Sequence, residues 1–158
     1  MDKELTQLFD ESIRLELNVA ALYKIFGAAF PDDSFFWRRL AMEEENHAGL
    51  LKSGKNRFEP LGKFPLEILP SSTEELESVN SSIKNMIKKY EKTPPSREEA
   101  FNLALELEQS AGELHFQQFM EKESPSELEK IFQRLNRDDK DHIEKIRLYM
   151  EAHDITPP

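Results

Sequence analysis

The stretch LAMEEENHAGLL, residues 40–51, decides how the chain is read. It holds no proline, and its apolar residues recur with the period of a helix rather than a strand. Leu40, Glu44, His47 and Leu51 follow one another at steps of four, three and four, so they share one helix face. That face should be buried, because leucines stand at both of its ends. A carboxylate and an imidazole in the middle of an apolar stripe need a reason to be there. The flanking run Glu43-Glu44-Glu45 reads otherwise as a solvated charged face.

The same figure recurs a hundred residues on. Leu135, Asp139, His142 and Ile146 repeat the spacing, with Asp in place of Glu. Two single carboxylates also stand on apolar faces. Glu16 shares its face with Val19, Ala20 and Tyr23, and Glu108 is flanked by Ala104, Leu105, Ala111 and Gly112. Leu15-Glu16 followed by Leu22-Tyr23 matches Leu107-Glu108 followed by Leu114-His115. The two halves thus look like one helical hairpin used twice. Two such hairpins about a pseudo-two-fold axis would bring four carboxylates and two imidazoles together.

Helix limits follow from caps and breakers. A first helix is expected over residues 3–27, with the stripe Leu5, Leu8, Phe9, Leu15, Val19, Leu22, Tyr23 and Phe26. Pro31-Asp32-Asp33-Ser34 breaks it and offers caps for a second helix over 34–53, stopped by Gly54. Pro60, Pro65 and Pro70 exclude a continuous helix over 55–71. Ser72 with Glu75, and Ser96 with Glu99, are capping boxes opening helices to about 91 and 122. Ser124-Pro125-Ser126-Glu127 reads as an N-cap, a proline at the first helical position and a glutamate at the third, starting a last helix to about 153. The predicted fold is all-α: a four-helix bundle of two antiparallel hairpins, 3–53 and 96–153, in a single domain over 1–158. A long crossover, 54–95, carries an extra helix placed outside the bundle.

The net charge of −10 argues against nucleic acid, which needs a basic stripe, and against anionic membranes. No run approaches a membrane span of about 18 apolar residues. Without cysteine there is no disulfide, iron–sulfur cluster or thiol chemistry. No signal peptide is read at the amino terminus, so a cytoplasmic location is expected.

Buried carboxylates are expensive to desolvate and repel one another. Two divalent cations offset four carboxylates and leave two histidines neutral. The candidate metal ligands are therefore Glu16, Glu44, His47, Glu108, Asp139 and His142.

The pattern resembles the rubrerythrin-like branch of the ferritin-like superfamily. LELNVAALY, residues 15–23, is similar to that family's first helix, and MEEENHA, residues 42–48, to its second. The resemblance implies a ferritin-like bundle holding two iron ions, bridged by Glu44 and Asp139, with Glu16 and Glu108 as terminal carboxylates and one histidine on each metal. It implies a non-haem di-iron oxidoreductase reacting with dioxygen or hydrogen peroxide, as a ferroxidase, peroxidase or oxidase. Electrons would come from an external donor protein, because the cysteine-ligated rubredoxin module is missing. Asp139 stands where the family has Glu, and Ala111 where rubrerythrins carry a further Glu. Zinc or manganese binding without redox chemistry, and a metal-free scaffold, remain as alternatives. Tyr23 and His115 are read as hydrogen-bond partners behind the ligands, and Phe35, Phe36 and Trp37 as hairpin packing or the face of a homodimer.

Overall fold

The computed structural model describes residues 1–70, 72–123, 126–135 and 141–157, and of residues 111–114 and 135 the backbone alone. Every regular element among them is helical: α1 (Lys3–Ala29), α2 (Ser34–Ser53), α3 (Thr73–Lys92), α4 (Arg97–Glu108), α5 (Ala111–Met120), α6 (Glu127–Leu135) and α7 (His142–Ala152). The chain is all-α, as expected. No helix among the described residues is long and apolar enough to cross a membrane.

The first hairpin follows its sequence signals. Asp2 caps α1 through a bond from Leu5 N, and a 3-10 turn at Pro31–Asp33 reverses the chain. Phe26 packs on Trp37 and Glu16 lies near His47, so α1 and α2 are antiparallel. Asp33 does not cap α2 with its side chain. It accepts two bonds of 2.7 Å from Arg97 and one of 2.7 Å from the Tyr149 hydroxyl. One buried carboxylate thus ties the turn to the start of α4 and the end of α7.

Gly54 does not stop the chain in a left-handed conformation. Its φ of −57° is helical, and a π-helical turn, Gly54–Phe58, and a 3-10 turn, Glu59–Leu61, follow directly. The glycine is needed for space: a Cβ there would sit 2.2 Å from the Phe64 ring. The prolines break regular helix over this segment as expected.

Ser72 accepts from Glu75 N at the start of α3, while Ser96 and Glu99 form a complete capping box. α3 is not an outlying crossover. It runs parallel to α1, pairing Gln7 with Glu77 and Phe26 with Tyr90. Leu76 and Ile83 are fully buried in the same cluster as Leu15, Val19 and Phe101. Its apolar stripe is long enough to make it a wall of the core.

The second half departs further from expectation. The helix expected to run to about 122 breaks at Gln109-Ser110, where Ser110 has ψ 164° and restarts the chain as α5. The Ser110 side chain makes no cap bond here, but Ser is a weaker helix former than Ala or Leu, and Gly112 just beyond it weakens any continuous helix. The next helix begins at Glu127, capped by Ser126 and Glu129 in reciprocal bonds; the expected N-cap Ser124 and Pro125 lie outside the described residues. The expected run to 153 is also interrupted. Asp141 takes a left-handed conformation, φ 68°, and α7 starts at His142. α4 and α7 are antiparallel, with Phe101 near Tyr149 and Glu108 near His142.

Two apolar clusters result. One gathers Trp37, Phe26, Tyr23, Phe101 and Ile146. The other gathers Phe9, Leu51, Phe64, Phe116 and Phe132. Along α2 and the α4–α5 segment, Glu43, Glu44, His47 and Glu108 fall between the two clusters, and on α1 the buried Glu16 directly follows Leu15 of the first. A charged layer is enclosed by apolar ones.

Candidate metal centre

Helical period puts these side chains inward. Leu40 and Leu51 are buried on α2, and Glu44 and His47 between them are 0% and 1% exposed. Glu16 on α1, Glu108 on α4 and His142 on α7 are buried as well. Five of the six expected ligands therefore converge. Asp139 lies outside the described residues.

Glu44 is the centre of the arrangement. Its Oε2 lies 3.2 Å from His47 Nδ1, which is 3.6 Å from Glu16 Oε2. Its Oε1 lies 2.8 Å from His142 Nδ1, which is 3.4 Å from Glu108 Oε2. Two groups capable of holding a cation follow: Glu16, Glu44 and His47, and Glu44, Glu108 and His142. Each takes its terminal carboxylate and its histidine from the same half of the chain, as the sequence repeat implies.

Glu44 Oε1 and Glu108 Oε2 are buried and accept no hydrogen bond among the described residues. His142 Nδ1 is near both without the alignment of a donor. Buried acceptors left in that state are costly, and a cation between them removes the cost. The donors are two nitrogens and three carboxylates, which suits first-row divalent metals. The residues present fit a two-metal site.

Charge coupling within the cluster is strong. Burial, reinforced by the Glu108 charge, pushes the Glu44 carboxyl up to about 8, against the lowering effect of His142 and His47. Burial opposes protonation of His47, but hydrogen bonds and charge contacts with Glu16 and Glu44 prevail and push it up to about 10. His142 behaves alike: burial lowers it, yet the Glu108 and Glu44 charges hold it well above the usual imidazole range. Burial raises Glu108, but the charge of His142 beside it, 3.4 Å away, and the hydrogen bond from Tyr23 bring it below its ordinary value. Without metal the cluster is held together by protons.

The hydrogen-bond partners behind these groups were partly legible. The Tyr23 hydroxyl donates to Glu108 Oε1 at 2.6 Å, as expected of Tyr23. His115 is half-buried and makes no hydrogen bond or ion pair among the described residues. Its neighbour Phe116 lies against the His47 ring instead, 4.0 Å between centroids. The break at Gln109-Ser110 shifts the helical phase, so a count of seven from Glu108 no longer marks the same face.

Glu43 was missed. It is 3% exposed rather than solvated, and its Oε2 lies 2.9 Å from His142 Nε2. Lys145 and Arg39 contact the same carboxylate. Burial raises Glu43, but His142 and Lys145 outweigh it and keep it ionised. A carboxylate on the far nitrogen fixes the orientation of a ligating imidazole. Trp37 is wholly buried and belongs to the core, whereas Phe35 is 79% exposed.

No known protein family, no curated protein and no solved structure matches the chain.

Proposed function

We propose that the chain is a two-metal carboxylate protein of the ferritin-like kind, holding iron and reacting with dioxygen or peroxide. One observation carries this reading: the two oxygens of Glu44 face two separate carboxylate–histidine pairs. A carboxylate between two metals about 3.5–4 Å apart would be placed in this way. A single-metal site needs no such doubling.

The helix directions support a ferritin-like bundle. α1 and α2 are antiparallel, α3 returns parallel to α1, and α4 and α7 form a second antiparallel pair. In such bundles a Glu from each of two helices joins a Glu-x-x-His motif from each of the other two. Glu16, Glu108 and the Glu44/His47 pair fill three of those places. Asp139 with His142 is proposed for the fourth, with Asp139 as the second bridge.

Iron in this setting supplies two-electron chemistry with small oxidants. The chain's own part is to hold the metals, to keep bulk water away through the two apolar clusters, and to orient Glu108 and His142 through Tyr23 and Glu43. An external protein would deliver electrons.

Elemental analysis after growth in iron-rich medium tests the reading, together with the near-ultraviolet charge-transfer absorption of a coupled ferric pair. About two irons per chain and that band are expected. Stoichiometric zinc without the band would indicate a binding module, and no metal would leave a helical scaffold.

A further inference from the structure

Beside the Glu16–His47 half of the cluster lies a small chamber of about 10 Å³. Its polar wall is Ser12, Glu16 and His47. Its apolar wall includes Leu69, from the crossover, and Phe116, from α5. A space of this size admits about one water molecule, and a water is stable only where polar groups meet it.

Ser12 stands one helical turn before Glu16 and is 4% exposed. Its Oγ is buried and has no hydrogen-bond partner among the described residues. Serine in a helix commonly satisfies its hydroxyl on the carbonyl four residues back, and this one does not. A buried hydroxyl without a partner is unfavourable unless something in the adjoining space accepts its proton. That space opens onto two of the three groups able to hold one cation.

Resting on the two-metal reading, we propose that this chamber is the exogenous-ligand position of the metal held by Glu16, Glu44 and His47. It takes one ligand of a single heavy atom, water in the resting protein, and Ser12 Oγ–H donates to it. Ser12 is a positioning residue, and Leu69 and Phe116 set the size limit. Dioxygen, peroxide and organic substrates, all of more than one heavy atom, do not enter on this side, and the proposed reaction with the oxidant takes place on another face of the cluster.

Cobalt(II)-loaded protein tests this, with metal content measured first and the visible d–d absorption then followed. Sodium fluoride is the probe of one heavy atom, and sodium thiocyanate the probe of three. Fluoride should perturb the spectrum of the wild type and thiocyanate should not. Ser12→Ala should hold as much cobalt and bind fluoride about tenfold more weakly, the loss expected for one charge-assisted hydrogen bond. Its metal-free form should melt no lower than the wild type, because the deleted hydroxyl had no partner. Leu69→Ala should let thiocyanate in. Equal fluoride affinity in Ser12→Ala at equal cobalt content would remove Ser12 from the site. A wild type that ignores fluoride, or that takes up thiocyanate as readily as Leu69→Ala, would overturn the chamber as the ligand position while leaving the two-metal reading intact. Failure to hold cobalt at all would overturn both, and is seen before either anion is added.

Discussion

The imidazoles of His47 and His142 stand 5.4 Å apart, centroid to centroid, and within 16° of parallel. The Glu44 carboxylate reaches a Nδ1 of each. Two stacked imidazolium rings repel one another, and only the carboxylates between and beside them make that state tolerable. As neutral ligands of two cations the same rings carry no such penalty. On the proposed two-metal reading, with Asp139 as the fourth carboxylate, the cluster would have two charge-balanced forms, one filled with protons and one with metal.

Metal and protons must then compete. In the metal-free protein at pH 7, His47 and His142 hold protons, and Glu44, pushed up to about 8, holds one as well. Metal binding should release protons into a weakly buffered solution. The raised values of the two histidines stabilise the metal-free fold fully below the unfolded imidazole pKa of about 6.5. That contribution is lost as pH rises towards the folded values. Glu44 acts in the same direction: its ionisation in the core becomes an increasing penalty between about pH 4.5 and 8. The difference in melting temperature between loaded and chelated protein should therefore widen from pH 6 to pH 8. Calorimetry at both values checks it, and a constant or narrowing difference would show that protons and metal do not share the site.

Glu44→Gln separates these roles. The side chain keeps its shape, and it replaces a group that is protonated at pH 7 in the metal-free state. Metal-free stability should change by less than about 1 kcal/mol. Metal content should fall from about two per chain to one or fewer, because an amide does not bridge cations as a carboxylate does. Unchanged stoichiometry in this variant would rule Glu44 out as the shared ligand.

Much of this site was legible because a buried ligand on a helix must share its face with apolar residues. Glu44 and His47 could be recognised from Leu40 and Leu51, and Glu16 from Val19 and Tyr23. Caps at Ser72 and Ser96 were legible for a local reason, since each acts within three residues. Glu43 was not legible. Its burial depends on His142 and Lys145, which arrive from a distant helix, and nothing within a turn of it signals that. The breaks at Ser110 and Asp141 were hidden as well. Each is a local backbone change that leaves no mark on the apolar pattern of the sequence, yet both adjoin the site and set which face of α5 and α7 meets it.

Gly54 gives a test in which two effects have opposite signs. Its backbone is helical, so alanine should be favoured there by about 1 kcal/mol on propensity alone. The Cβ would however sit 2.2 Å from Phe64 Cε2 and 2.4 Å from Cδ2. Phe64 is buried between Phe9 and Phe132 and has little room to yield. Overpacking of this kind costs about 1–3 kcal/mol, so Gly54→Ala should destabilise. In a Phe64→Leu background the same substitution should become neutral or stabilising. Urea unfolding of the four proteins measures the coupling, and additive effects would show that the ring moves aside freely.

Asp33 responds to pH in the sense opposite to the metal cluster. Hydrogen bonds from Arg97 lower its pKa, burial opposes them, and the Tyr149 hydroxyl lowers it further, for a net depression below the usual carboxylate range. A depressed value contributes stability above the unfolded pKa of about 3.9, and that contribution is lost as pH falls through the folded value. The Arg97 side chain is 39% exposed, so solvent screens part of the ion pair. Asp33 itself is buried, and a buried acceptor with three charge-assisted bonds keeps a larger share. Asp33→Asn should cost about 1–2 kcal/mol at pH 7 and much less near pH 3. Tyr149→Phe should cost less, since Arg97 still satisfies the carboxylate. Both variants should retain full metal content, because this junction fastens the turn before α2 to α4 and α7 away from the ligands. Urea midpoints at the two pH values, with metal analysis of the same samples, check each part. A loss of metal in Asp33→Asn would mean that this junction, and not only local packing, holds the two halves of the site in register.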